Sequence, residues 1–163
     1  MKKQSGMTIL EVLITIVIIS IVMLLAAPPM SNFIQDNRLA TLSNDLVSSI
    51  RLARSEAISN RQTVIIEATG TKWHDGWRVY LDLDGSGDYA QANDTLLNSN
   101  DGFDYISDSS SATVLSFNNK GIRSSLAQWG PVTFCDSRGE GKKITITGMS
   151  SVDITTVGSS CAV

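Results

Sequence analysis

The chain has 163 residues, 42% of them hydrophobic, with 13 lysines and arginines against 16 aspartates and glutamates and a formal net charge of −3. This length suits one globular domain plus an extra element rather than two domains, and the negative balance disfavours tight general binding to nucleic acid. Two cysteines, Cys135 and Cys161, stand too far apart for a CxxC redox or zinc pair, and His74 is the one histidine that could supplement them.

The first segment is Met1-Lys2-Lys3-Gln4-Ser5-Gly6, short and basic, and the apolar run that follows from Met7 to Met30 covers 24 residues. As a helix at ~1.5 Å per residue it spans about 36 Å, enough to cross a bilayer. A secretory h-region is shorter and ends in a small-x-small cleavage site, for which Leu25-Ala26-Ala27-Pro28 is a poor substitute. Lys2 and Lys3 place the N-terminus on the cytoplasmic side, so the remainder lies outside. Glu11 is the one ionisable residue inside the run. From so near the end of the span it could snorkel to the headgroups, or it could serve a function, as intramembrane carboxylates commonly do. Cleavage after Gly6 would create an amine at Met7, and in a helix Met7 and Glu11 stand at i and i+4 on one face. The two charges then become a matched pair, within one chain or between neighbours.

Gly6-Met7-Thr8-Ile9-Leu10-Glu11 followed by a long apolar helix resembles the type IV pilin and pseudopilin family. The resemblance implies cleavage by prepilin peptidase between Gly6 and Met7, N-methylation of Met7, docking into a growing filament guided by Glu11, and a helix kink at Pro28. Met7 replaces the phenylalanine more usual in that family, and Ile9-Leu10 replaces Leu-Ile; both changes remain apolar.

Pro28-Pro29 interrupts the helical ladder, and a second helical pattern runs from Ser31 to Asn60, with Leu42, Leu46, Ile50, Ala53 and Ala57 on one inward face. Arg51, Arg54 and Glu56 fall on its flanks, and Asn60 is the expected stop. Beyond Arg61 the period changes to short β-type runs at 63–66, 77–81, 113–117 and 143–147, separated by glycine, aspartate and asparagine. Helix first and strands after predict an α+β fold, a long N-terminal helix packed on a mainly antiparallel sheet. The expected organisation is leader 1–6, membrane and filament-core helix 7–30, amphipathic helix 31–60 and a β-rich extracytoplasmic part 61–163. The serine-rich stretch Ser107–Ser111 reads as an exposed loop.

His74, in Trp73-His74-Asp75-Gly76-Trp77, could orient a nucleophilic serine, but no nucleophile motif accompanies it, and a turn histidine among packed aromatics is the better reading. Asp82, Asp84 and Asp88 in Asp82-Leu83-Asp84-Gly85-Ser86-Gly87-Asp88 resemble the first half of a calcium loop, but the twelfth position is Asn93, with Asp94 after it, where a bidentate glutamate is needed. The segment reads more simply as a β-hairpin turn. Arg138, Lys142 and Lys143 form a basic cluster that could meet DNA phosphates or lie in a solvated loop. In an oxidising compartment Cys135 and Cys161 pair as a structural disulfide, the alternative being two separate thiols.

Arg51-Leu52-Ala53-Arg54-Ser55-Glu56-Ala57, Gly76-Trp77-Arg78-Val79-Tyr80 and Phe117-Asn118-Asn119-Lys120-Gly121 are similar to the FimT, FimU and GspH group within that family. This similarity implies a minor pilin held in the inner membrane with a periplasmic domain, which then helps prime or cap a pilus alongside other minor pilins and the major pilin. It implies no cofactor, small-molecule substrate or catalysis. A minor pseudopilin of type II secretion is the nearest alternative. A DNA-uptake subunit is a further one, disfavoured because Met149-Ser150-Ser151 stands where DNA-binding relatives carry an arginine motif.

Overall fold

In the computed structural model, residues 6–110, 112–123, 129–147, 151–158 and 161 are described, with the side chains of 25–29 excepted. Leader residues 1–5, the Pro28 side chain, Ser111 and the 148–150 segment therefore lie outside the described part.

One helix, α1, runs from Ile9 to Asn60, and its backbone is helical through Pro28 and Pro29, where the sequence pattern suggests an interruption. A proline removes one ladder hydrogen bond without forbidding the turns on either side. Two compact units divide the chain, Met1–Asp36 and Asn37–Val163. The first is helical from Ile9 on and carries no charged side chain between Glu11 and Asp36.

In the second unit, α1 buries Leu42, Leu46, Ile50, Ala53 and Ala57, the face expected from their spacing, and adds Leu39 and Val47. Small residues at 53 and 57 let the helix lie close to the sheet. Asn60 closes the helix by donating its side-chain amide to the Glu56 carbonyl (3.1 Å) and carboxylate (2.8 Å), and Arg61 takes a left-handed φ of 53°.

Eight strands follow: β1 (Thr63–Ala68), β2 (Trp77–Asp82), β3 (Thr95–Asn100), β4 (Ile106–Asp108), β5 (Val114–Phe117), β6 (Val132–Asp136), β7 (Gly141–Thr147) and β8 (Ser151–Val157). They form two four-stranded antiparallel sheets, ordered β3-β2-β1-β5 and β4-β6-β7-β8. The four expected runs are β1, β2, β5 and β7. β3 carries no alternating pattern, because Thr95-Leu96-Leu97-Asn98-Ser99-Asn100 is an edge strand, held by its pairing with β2.

Within the expected Ser107–Ser111 loop, the described residues 107–110 are not a freely exposed loop. β4 takes up Ile106–Asp108, and Asp108 and Ser110 are buried. The burial is permitted because the Asp108 carboxylate accepts hydrogen bonds from the His74 N–H (3.1 Å) and the Ser110 N–H (3.2 Å) and meets His74 Nδ1 at 2.7 Å. Close backbone approach explains Gly76 and Gly102, both at positive φ. A Cβ on either would strike the other segment's main chain, where Phe103 N–H donates to the His74 carbonyl at 3.0 Å.

One hydrophobic cluster joins α1 to both sheets, through Val64, Ile66 and Leu115 on one side and Val132, Phe134 and Ile144 on the other. Trp73, Trp77 and Trp129 are all buried in it; Trp77 Nε1 donates to Ser49 Oγ at 2.9 Å, and Trp73 Nε1 to the Ala112 carbonyl at 2.7 Å. Cys135 on β6 is disulfide-bonded to Cys161, 26 positions later, which fastens the chain beyond β8 to the second sheet. Gly141 faces the bridge, and a side chain there would collide with the Cys161 sulfur. Closing a loop of this size should contribute about 3 kcal/mol. Replacing both cysteines with serine is therefore expected to lower unfolding stability by roughly that amount, measured by chemical denaturation of the oxidised wild type against the variant.

Candidate assembly segment and surface sites

The chain enters α1 through Gly6, Met7 and Thr8, which precede the first helical turn. Thr8 is the cap: the Glu11 N–H donates to Thr8 Oγ1 (3.3 Å) and to its carbonyl (3.1 Å), and the Val12 N–H also reaches that carbonyl. Threonine followed three residues later by glutamate is the capping-box sequence, of which the threonine half is seen here, a signal present in the sequence although no capping role is read from it there. Met7 thus stands outside the helix in the full-length chain, so the i, i+4 relation to Glu11 needs one further helical turn.

Glu11 is exposed in the first turn, where the helix dipole favours a carboxylate, and among the described residues it has no ion-pair partner. Around it Ile9 is 83% exposed and Leu10 68%, and Ile14, Ile18, Ile21 and Met23 are exposed as well. An apolar surface so extensive marks contact with lipid or protein. Among the described residues no helix is long and apolar enough to cross a membrane; within the apolar run the side chains of 25–29 lie outside the described part, with exposed Leu24 and Met30 on either side.

The turn between β2 and β3 brings Asp82, Asp84 and Asp94 together, one oxygen from each lying within 4.8 Å of the others, and this group contains Asp94 where the sequence suggests Asp88. Hydrogen bonds return Asp94 to the loop: Oδ1 accepts from Leu83 N–H (3.2 Å) and Oδ2 from Ala90 N–H (2.7 Å). Asp82 accepts from Gly85 N–H, and Asp84 from Ser86 N–H and the Asn93 amide. The carboxylates thus already hold the turn together through protein donors.

The Ser86 hydroxyl above all, helped by the Ser86 N–H and the Asn93 amide, holds Asp84 below its ordinary 3.8. Beneath the loop, Tyr80 is buried and donates to the Gly87 carbonyl at 3.1 Å. Burial first, then the charges of Glu67 and the loop carboxylates, raises its phenol well above the ordinary 10.0.

The remaining candidates separate. Arg138 is held by Asp136 in the β6–β7 turn, its Nε donating to Oδ2 at 2.8 Å, and Lys142 donates to Thr156 Oγ1 at 3.0 Å. Lys142 and Lys143 are consecutive on β7 and point to opposite faces, so the expected basic cluster is not one surface. His74 pairs with Asp108, a residue not singled out in the sequence because 34 positions separate them, and Nε2 faces Asp75 Oδ1 at 3.6 Å. Among the described residues no hydroxyl or thiol is hydrogen-bonded to that ring.

The family model for the type II transport protein GspH matches residues 42–150, and the model for the prokaryotic N-terminal methylation motif matches residues 1–27. No curated protein matches the chain. Among solved structures it is similar to the type IV minor pilin FimU of Pseudomonas aeruginosa at 21% identity, covering 78% of this chain and 98% of that one with a TM-score of 0.62. A second crystal form of FimU gives a TM-score of 0.59 over 75% and 99% of the two chains. The shared fold is the pilin-like α+β arrangement.

Two outcomes test the loop. Asp94→Ala removes the acceptor of two backbone N–H groups and should cost roughly 1–3 kcal/mol in urea denaturation. The raised Tyr80 adds stability that is complete below the unfolded value of 10.0 and is lost as pH climbs above it, so Tyr80→Phe should flatten the alkaline limb of the stability profile.

Proposed function

The chain belongs to the GspH family, and from that membership we infer that it is a minor type IV pilin whose work is assembly rather than catalysis. The capped apolar helix, whose first turn carries a carboxylate without an ion-pair partner among the described residues, is the observation that carries this reading. In the proposed sequence of events, prepilin peptidase cuts between Gly6 and Met7 and Met7 is N-methylated. The 7–30 segment anchors the subunit in the inner membrane with its domain in the periplasm. From there it enters a filament with other minor pilins and the major pilin, helping to prime or cap it.

The physical logic is charge matching. An isolated carboxylate among apolar neighbours costs several kcal/mol unless paired. The amine created at Met7 supplies a partner, on the same helix once it extends by a turn or on the subunit already docked. A subunit out of register would leave both charges unmatched, so the pair selects the axial position. Pro28 would give the helix a place to bend as it leaves the bilayer. The match to GspH supports a second reading, a minor pseudopilin of type II secretion, which differs in partners and not in this mechanism. Co-purification with pilus or with secretion subunits separates the two.

Gly6 is exposed with open space around its Cα, so Gly6→Ala leaves the fold intact and any defect reports on processing. Intact mass from native membranes should show a chain beginning at N-methylated Met7 in the wild type, and an uncut chain in Gly6→Ala or without the peptidase. Glu11→Ala should be processed normally yet fall at least about tenfold in filament fractions, the loss expected from ~1.4 kcal/mol of docking energy. Normal incorporation would remove Glu11 from the mechanism.

A further inference from the structure

Each sheet ends in two edge strands, and among the described residues β8 is the longest of them at seven residues, against six in β3, four in β5 and three in β4. It pairs there with β7 alone, through seven consecutive partners without a bulge. Alternate residues of an antiparallel strand turn both backbone groups away from the partner, so β8 presents a row of N–H and C=O groups along its open side. Edges that stay unpaired are commonly guarded by lysine, proline or a bulge. Ser151-Val152-Asp153-Ile154-Thr155-Thr156-Val157 has none of these, and its one charge is Asp153, whereas the β3 edge shifts register opposite Val79 and Tyr80.

A second feature lies at the start of the same strand. There α1 and β8 enclose a hollow of about 470 Å³ whose walls include Arg51, Arg54, Ile58 and Val152. Arg51 and Arg54 stand three residues apart on neighbouring parts of the helix surface. Among the described residues neither guanidinium meets a carboxylate or donates a hydrogen bond, although Arg54 is half-buried. Ile58 is 49% exposed beside them. The open edge calls for an extended chain and the guanidiniums call for a carboxylate, and one segment can supply both. We propose that β8 is extended by a strand from a neighbouring subunit of different sequence, whose carboxylate enters the Arg51/Arg54 hollow.

Main-chain hydrogen bonds hold such a strand, and the charge pair fixes its register, because a slip of one residue turns the carboxylate to the other face. A second copy of this chain fits poorly. Paired antiparallel, its β8 would bring Thr156 and Val157 to the hollow, and neither carries a carboxylate. Paired parallel, it would set a second Arg51 and Arg54 beside the first. A phosphate polymer leaves the backbone groups of the edge and the apolar Ile58 and Val152 unmatched, and the chain is acidic overall at −3. The contact deepens the filament reading and rests on it only for the supply of other subunits.

The test uses the full-length chain in its native membrane with the other pilins present, p-benzoylphenylalanine replacing Ser151, Asp153 or Thr155 one at a time. All three are exposed and, at alternate positions, share a face of β8. Irradiation is expected to join the chain to one other subunit, and the attachment point, read by peptide mass spectrometry, should move along one continuous segment of that subunit as the probe moves along β8. Adding Arg51→Glu and Arg54→Glu should lower the yield about tenfold, and reversing the charge of the acidic residue in that segment should restore it. Circular dichroism of each variant confirms its fold.

Attachment to a second copy of this chain, to scattered segments, or to lipid or nucleic acid overturns the proposal, as does a yield indifferent to the charge changes. No adduct from folded, mature chains also overturns it while leaving the pilin reading in place. The expected adduct from chains never cut at Met7 upholds the strand contact and sinks the filament reading instead.

Discussion

Burial of the Leu39–Ala57 stripe of α1 in the core shared by the two sheets is the contact on which the globular unit depends. Most of the helix's stabilisation comes from that face, since isolated helices gain little from propensity alone. Each sheet has an inner face that needs covering, and the helix supplies the cover while the tryptophans fill the space around it. Trp77 ties the layers together twice, through its ring and through its bond to Ser49 on the helix. Small residues at 53 and 57 bring the layers close, so bulk introduced there would push helix from sheet.

The helix face and four of the strands were legible in the sequence because burial on one side leaves a period. Leu42, Leu46, Ile50, Ala53 and Ala57 repeat at helical spacing, and every one is buried. β3 and β4 leave no such trace: the first is polar and exposed at an edge, the second is three residues long and carries a buried aspartate. That aspartate is stable only because His74 arrives from 34 positions away, and single-sequence patterns do not encode such partners. The loop carboxylates show the same limit in milder form. Asp82 and Asp84 were identifiable from local spacing, whereas Asp94 joins them through hydrogen bonds that only the closed turn creates. At the N-terminus the motif was legible because its chemistry is local, and the cap by Thr8 follows from three residues' spacing.

The charges of the chain fall into two populations. Some are consumed in folding: Arg138 by Asp136, Arg78 by Glu67 at 3.2 Å, His74 by Asp108. Arg78 is further covered by the Tyr89 ring, with its guanidinium carbon 4.9 Å from the centroid. Arg138 is held by a neighbour close in sequence, Arg78 by one that sheet pairing places opposite it and His74 by one 34 positions away, and removing any of them would strand its partner. The others, Glu11, Arg51 and Arg54, have no such partner among the described residues. Each stands beside exposed apolar side chains, Ile9 and Leu10 in one case and Ile58 in the other. A charge next to exposed apolar surface is costly to bury without a counter-charge, so any association that covers the apolar surface must bring the opposite charge with it. That requirement narrows the acceptable neighbours, and it operates at both ends of α1 by the same rule. A neighbour that covers either apolar surface without the opposite charge leaves an unmatched charge at the interface.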